Sequence, residues 1–330
     1  MAARLTQALH ALTHAVTGAR TVLLVGPLDL DGDAVGAMLA LRRAIRARWP
    51  AVEVTCAAGE HLPERYAFLP DAEVLVHADT LPTSVVFDLS IVLDGDVDRL
   101  GSATTAFRAA RRRAQIDHHK SSDPEAVDVA FLDPSAASTT ELVLQLCDHW
   151  GVQLEAGLAS LIYAGLVFDT HVFRYRLTRP PTLRAAARLM ETGIDHAVIV
   201  ERVLLDQPLS KIRLRGRMLD RLQIALDGRL AWAVLNEAEC VDVETGGLVD
   251  DLVFIEGVEV GLLVIERARG QVKVSLRSRG GVDVARVAQT LSPRGGGHAR
   301  AAGATVEGSA LQVVERVEVE VRRVLDSGLR

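Results

Sequence analysis

Asp29-Leu30-Asp31-Gly32-Asp33 places a carboxylate at every second position, directly after the β-branched and aliphatic run Thr21 to Val25. Alternate positions of an extended chain face the same way, so these carboxylates can be aimed into one pocket, with Gly32 relieving crowding in the turn. Like charges share a pocket only when protons or cations neutralise them, and a divalent metal does so economically. Asp and Gly are also the ordinary residues of a surface turn, so both readings stay open on this stretch alone. Asp94 favours the metal. It ends Ile91-Val92-Leu93, where an α/β sheet presents ligands beyond the carboxyl ends of its strands.

Asp117-His118-His119 follows the short run Ala114-Gln115-Ile116. Neutral imidazole is a good ligand for Mn or Zn, and a neighbouring carboxylate can fix its tautomer. In an extended segment adjacent histidines point to opposite faces, so one could bind metal while the other contacts substrate. Asp169 closes Val167-Phe168-Asp169-Thr170 at the end of a helical or strand-like stretch. Together these segments could supply a mixed oxygen and nitrogen shell for two metal ions. Further on, Gly295-Gly296-Gly297-His298 could expose N–H donors to a phosphate or be a flexible loop, and Arg277 could grip a phosphate or be a surface arginine.

Such residues converge only if strands and helices deliver them. Leu5 to Val16 has helical spacing, Thr21 to Val25 reads as a strand, and Val35 to Ile45 as a helix. Val52 to Thr55, Val85 to Phe87 and Ile91 to Leu93 resemble interior strands of a parallel sheet. Helical patterns follow at Thr139 to Trp150, Leu154 to Leu166 and, after Pro180-Pro181, Leu183 to Met190, which Gly193 is placed to stop; Val198 to Leu205 could itself be helical. Beyond Leu214 the alternating segments Leu230 to Leu235, Val258 to Glu266 and Gln271 to Arg277 indicate a second domain with a β-sheet. A final helix carries the stripe Leu311, Val314, Val317, Val321 and Val324. The expected organisation is a catalytic domain over 1–190, a linker over 191–213 and a smaller domain over 214–330.

With 330 residues the chain can form two cores, and 49% hydrophobic with 24% charged residues describes a globular protein rather than a disordered or fibrous one. The formal net charge of -6 argues against wrapping long nucleic acid on a basic surface and suits a short nucleotide better. Cys56, Cys147 and Cys240 lie far apart without a CxxC pair, which points to buried thiols in a reduced compartment. No stretch resembles a membrane span or a secretory leader, so a cytoplasmic location is the expectation.

The ordered combination of Asp31-Gly32-Asp33-Ala34-Val35-Gly36, Asp94 with Arg99-Leu100-Gly101, Asp117-His118-His119, Asp169-Thr170, Lys273-Val274-Ser275-Leu276-Arg277-Ser278 and Gly295-Gly296-Gly297-His298 with Ala301-Ala302-Gly303 resembles the DHH phosphoesterase superfamily over nearly the whole chain. It is most similar to the branch of bacterial oligoribonucleases and 3'-phosphoadenosine-5'-phosphate phosphatases. The resemblance implies an α/β fold: an N-terminal parallel-sheet DHH catalytic domain and a smaller C-terminal α/β DHHA1-type substrate-binding domain that closes over the substrate. Asp31, Asp33, Asp94, His118 and Asp169 would hold two divalent ions, manganese by analogy, with Asp94 bridging them. Asp117 would orient the histidine pair and His119 would face the phosphate. Ser275, Arg277, Gly295, Gly296, Gly297 and His298 would lie on the substrate-binding face. His171 and Arg174 could reach the substrate phosphate or be solvent-facing polar residues, and Asp96 and Asp98 could add an outer shell or be turn carboxylates.

The implied activity is metal-dependent hydrolysis of phosphoesters in short oligoribonucleotides or a 3',5'-nucleoside bisphosphate, with short RNA or a small nucleotide as partner and a homodimer as candidate assembly. The alternatives are a RecJ-like single-strand exonuclease, a cyclic or linear dinucleotide phosphodiesterase, and a nucleotide-binding protein that has lost catalysis. An inorganic pyrophosphatase shares the chemistry, but the Arg277 region and the glycine run fit the nucleotide branch better. One departure stands out. The branch commonly has a ligand histidine four residues before its Asp-x-Asp pair, and that position is Pro27. Asp29 matches an extra Asp of the RecJ-like branch, so it is expected as a replacement ligand.

Overall fold

Thr21 to Val25 is almost wholly buried, and in the computed structural model it forms a central strand of a parallel sheet. The structure describes residues 2–82, 84–119, 122–243 and 245–326 and divides into two compact units, Met1–Asp206 and Gln207–Arg330. The first unit contains α1 (Ala2–Thr17), β1 (Thr21–Val25), α2 (Gly32–Arg48), β2 (Glu53–Ala58), β3 (Leu75–His77), β4 (Leu89–Leu93), α3 (Thr104–Ala109), β5 (Arg113–Asp117), β6 (Val129–Leu132), α4 (Thr139–Trp150), α5 (Ala156–Thr170), α6 (Pro180–Met190) and α7 (His196–Val200). Its six strands are all parallel, in the order β3-β2-β1-β4-β5-β6. The order reverses between β1 and β4, and the crevice beyond the carboxyl ends of such a pair is where open α/β sheets bind ligands.

The sheet is apolar on both sides because α2, α4 and α5 cover one face while Phe107 of α3 packs with Leu23, Val25 and Val92 on the other. Gly36 brings α2 against α5: a Cβ there would come within 2.5 Å of the Leu161 carbonyl oxygen. Val85 to Phe87, expected as a strand, lies outside any strand; Val85 and Val86 are exposed, and the aliphatic run that pairs is Leu89–Leu93. Pro180 and Pro181 occupy the first turn of α6, where the missing N–H costs nothing. The stretch expected as a linker is packed over 191–206, with Ile194, Ile199 and Val203 buried in the first unit's core.

The second unit contains α8 (Leu209–Asp220), β7 (Gln223–Ala225), β8 (Leu230–Asn236), α9 (Leu248–Val253), β9 (Val260–Arg267), β10 (Gln271–Ser278), α10 (Val284–Leu291), β11 (Gly296–His298), β12 (Ala301–Glu307) and α11 (Ala310–Asp326). Its sheet runs β11-β12-β10-β9-β8-β7, antiparallel except for the parallel pair β8 and β9. Period-two alternation decides the faces of β10. Val272, Val274 and Leu276 pack under α10 and α11, whereas Gln271 and Lys273 are exposed and Ser275 and Arg277 half-buried. On α11 the buried stripe is Val313, Val314, Val317 and Val321, and Leu311 faces solvent. All three cysteines are buried and free.

Candidate metal centre

The loop after β1 delivers its carboxylates through helix α2 rather than through an extended run. Asp31 has extended dihedrals and is the N-cap: its Oδ1 accepts from the N–H groups of Asp33 at 2.9 Å and Ala34 at 3.0 Å. Asp33 lies in the first turn, fully buried, and its two oxygens accept from the N–H groups of Thr139 and Thr140 at the start of α4. Asp94 follows β4 with φ 61, a left-handed conformation that Asp tolerates. Its Oδ1 accepts from the Thr139 hydroxyl at 3.0 Å. Asp169 comes from the last turn of α5, so its segment is helical.

Ligand atoms of Asp33, Asp94, His118 and Asp169 lie within 4.8 Å of one another, as do those of Asp94, His118 and His119. His118 is buried, and its Nδ1 is 3.4 Å from the carbonyl oxygen of Ala136. A carbonyl only accepts, so the neutral ring carries its proton on Nδ1 and turns the Nε2 lone pair into the cluster. Nε2 is 2.9 Å from Asp169 Oδ2, yet among the described residues neither buried atom makes a hydrogen bond. Two orphaned donor atoms facing each other in a set of carboxylates and imidazole fit a divalent cation.

The electrostatics agree. Burial pushes the Asp94 carboxyl well above the usual range, and repulsion from Asp33, Asp31, Asp169 and Asp117 adds to it. Burial and then Asp33 push Asp31 up to about 6. Burial and Asp33 likewise push Asp169 up to about 7 against the opposing pull of His118. Burial depresses His118, but the contact with Asp169 and the charges of Asp33 and Asp117 outweigh it and raise the imidazole to about 9. Without a cation, then, the cluster keeps protons at neutral pH, and a metal would displace them.

The histidines differ from the expected arrangement. Their ring centroids are 4.6 Å apart, and His118 Nε2 and His119 Nδ1 are each 3.7 Å from Asp94 Oδ1. They do not take opposite faces because β5 ends at Asp117, and beyond it the period of two no longer applies. Among the described residues Asp117 is hydrogen-bonded to His119 and not to His118. Its Oδ1 is 2.7 Å from His119 Nδ1 and accepts from the His119 N–H, and its Oδ2 accepts from Ser122. That bond is the main reason the His119 pKa is raised.

Asp29 is not brought into the cluster. At φ 65 it breaks the extended alternation, its side chain is 90% exposed, and its nearest charge is Arg99 at 3.5 Å. Pro27 is buried against Gly95 and offers no donor. Asp98 is exposed beside Arg108, as a turn carboxylate, while Asp96 is half-buried and raised by burial and Asp117.

A family model described as "DHH family, N-terminal domain" matches residues 21–166, and the "DHHA1 domain" matches residues 228–325. A bifunctional oligoribonuclease and PAP phosphatase, NrnA, from Thermus thermophilus is 33% identical over 308 residues, covering 90% of this chain and 88% of its own length. The chain belongs to the DHH phosphoesterase family. It is thereby a hydrolytic enzyme of a metal-dependent family. The cyclic-di-AMP phosphodiesterase GdpP of Geobacillus thermodenitrificans is 28% identical over 88% of this chain, which spans 45% of that protein. The crystal structure of an exopolyphosphatase-related protein from Bacteroides fragilis has the same fold, with a TM-score of 0.88, 23% identity and 98% of each chain covered.

The DHHA1 unit treats its expected contacts unevenly. Arg277 Nε is 2.7 Å from Asp250 Oδ1, so a carboxylate of α9 already holds the guanidinium. Ser275 lines a cavity of about 680 Å³ with Lys273, Arg267 and Arg294. The glycine run is not a loop: Gly296 to His298 form the edge strand β11, paired with β12, and His298 is exposed. Gly297 has φ 135, and Gly295 has the Ala288 carbonyl where a Cβ would sit, so both need glycine. In the DHH unit Arg174 is exposed beyond α5, after His171, Val172 and Phe173, three successive left-handed residues that strain the backbone beside Asp169.

Thr139, which the residue pattern does not single out, contacts both Asp33 and Asp94. Ser138 and Glu141 form an S-x-x-E helix-start pattern that locates α4, but nothing local says that its first turn faces a carboxylate more than a hundred positions earlier.

Proposed function

We propose that this DHH phosphoesterase hydrolyses phosphoesters of short oligoribonucleotides and 3',5'-nucleoside bisphosphates, with two divalent ions, Mn2+, at the cluster after β1, β4 and β5. The observation that carries this is the convergence of Asp33, Asp94, His118 and Asp169, with two orphaned buried atoms, at the switch point of the sheet. The name of the Thermus thermophilus relative supports the substrate class.

When bound, divalent ions supply Lewis acidity and a water of lowered pKa. The protein's own part is to position and to supply charge. Asp33, Asp94, His118 and Asp169, with Asp31 beside them, hold the cations. Asp117 fixes the His119 ring and favours its charged form, suiting His119 to stabilise charge that grows on the phosphoryl oxygens in the transition state. In the DHHA1 unit Arg277, pre-oriented by Asp250, grips the substrate phosphate, with Ser275, Arg294 and the exposed edge of β11 as further polar contacts.

Arg277→Ala is accordingly expected to raise KM by about tenfold or more, the worth of a hydrogen bond to a charged group, while bound metal per chain is unchanged. Steady-state kinetics with metal analysis of the same variant checks both. Loss of metal without a folding defect would contradict the assignment.

No helix among the described residues is long and apolar enough to cross a membrane. A cytoplasmic place of action and a homodimer belong to the same proposal. Asp29, the feature that pointed toward a long-strand exonuclease, lies outside the donor groups.

The test is kcat/KM on a ribodinucleotide, a 3',5'-bisphosphate, a cyclic dinucleotide and a long single DNA strand. The first two are expected to be preferred by about tenfold or more, a difference of roughly 1.4 kcal/mol. Exclusive activity on the long strand or the cyclic dinucleotide overturns the substrate class, and submillimolar nucleotide binding without turnover in Mn, Co, Mg or Zn identifies a binding protein instead.

A further inference from the structure

The first turn of α4 is satisfied from outside the helix. Ser138 is its N-cap and accepts from the Glu141 N–H at 3.1 Å. The N–H groups of Thr139 and Thr140 donate to Asp33 Oδ2 at 2.5 Å and Oδ1 at 2.9 Å. Three N–H groups that a helix start leaves without internal partners are thereby used. Thr139 also donates its hydroxyl to Asp94 Oδ1 at 3.0 Å. One fully buried residue thus touches two carboxylates of the same donor group, one from α2 and one from the loop after β4. Gly165 of α5 leaves the room for this: a Cβ there would meet Asp33 Oδ1 and both branches of Thr140.

We infer that Thr139 is a positioning residue of the metal centre, whose backbone N–H sets the rotamer of Asp33 and whose hydroxyl sets that of Asp94. Carboxylates this close repel each other once they give up their protons, so gathering them around a cation costs free energy unless other groups hold them in place. Hydrogen bonds that hold them in the binding geometry remove that cost in advance. A threonine that merely begins a helix would have a dispensable hydroxyl, because its side chain would serve no other residue.

The role of Thr139 rests on the proposed metal site, and the two fail differently. Mn2+ titration of the metal-stripped parent protein, followed calorimetrically, tests the site: no binding by the parent overturns both. Thr139→Ser and Thr139→Ala each lose the methyl group and differ only in the hydroxyl. Thr139→Ala is expected to weaken Mn2+ binding by about 10- to 100-fold, the usual effect of removing a partner of a metal ligand, and Thr139→Ser to stay within about threefold of the parent. If the alanine variant does not fold by circular dichroism, Thr139→Val, which fills the same volume without a hydroxyl, takes its place with the same expectation. Parent-like affinity in the variant lacking the hydroxyl, or equal weakening in Thr139→Ser, overturns the role.

Discussion

Asp94→Asn is expected to lower kcat by about a thousandfold or more, roughly 4 kcal/mol of transition-state stabilisation, in a protein that still folds. Asp94 is the one carboxylate common to both donor groups. Asparagine keeps its shape and can still accept from the Thr139 hydroxyl, so the change is confined to charge and to one oxygen. Without metal that charge is unwelcome: burial, reinforced by Asp33, Asp31, Asp169 and Asp117, already drives the Asp94 carboxyl toward its neutral form. A neutral amide therefore costs the metal-free fold little, and its melting temperature should equal or exceed that of the parent. Lost turnover with retained stability separates a ligand from a structural residue. Retention of most activity in the folded variant would refute the assignment.

Chelation is expected to abolish turnover, and recovery on adding Mn2+ is expected to depend steeply on pH. The sign follows from the metal-free cluster. Contacts within the cluster raise His118 to about 9, and burial with Asp33 raises Asp169 to about 7 and Asp31 to about 6, so at neutral pH the metal-free cluster holds protons. A cation must displace these protons, because a protonated imidazole has no lone pair to give and a neutral carboxyl is a poor ligand. Metal affinity should rise from about pH 6 toward pH 9, changing up to tenfold per pH unit for each proton released. Titrating Mn2+ into stripped protein at several pH values measures this slope. An affinity independent of pH across that range would mean that these side chains are not the ligands.

The parts of the centre legible in the sequence are those where one local rule suffices. Asp94 was readable because an aliphatic run such as Ile91 to Leu93 must be an interior strand, and ligands sit where such strands stop. Helix α4 was readable from the helical spacing of Thr139 to Trp150. Asp29 was misread because alternation holds only for extended backbone, and a left-handed residue points its side chain elsewhere. The two histidines do not take opposite faces for a related reason, since the strand ends one residue too early. Gly296 to His298 gave no strand signal because glycine carries no side chain from which a face can be read. The contacts of Thr139 with Asp33 and Asp94 and of Arg277 with Asp250 join distant segments, and only the packed fold brings them together.

The central claim is that the Asp33, Asp94, His118 and Asp169 cluster makes this chain a metal-dependent phosphoesterase. It is tested most directly by measuring metal content and 3',5'-bisphosphate hydrolysis on one purified sample as it is stripped and reloaded with Mn2+, alongside Asp94→Asn. Turnover is predicted to vanish with the metal, to return in proportion to the metal rebound, and to stay absent in the variant. Hydrolysis that persists in the fully stripped protein, or survives in the folded variant, would contradict it.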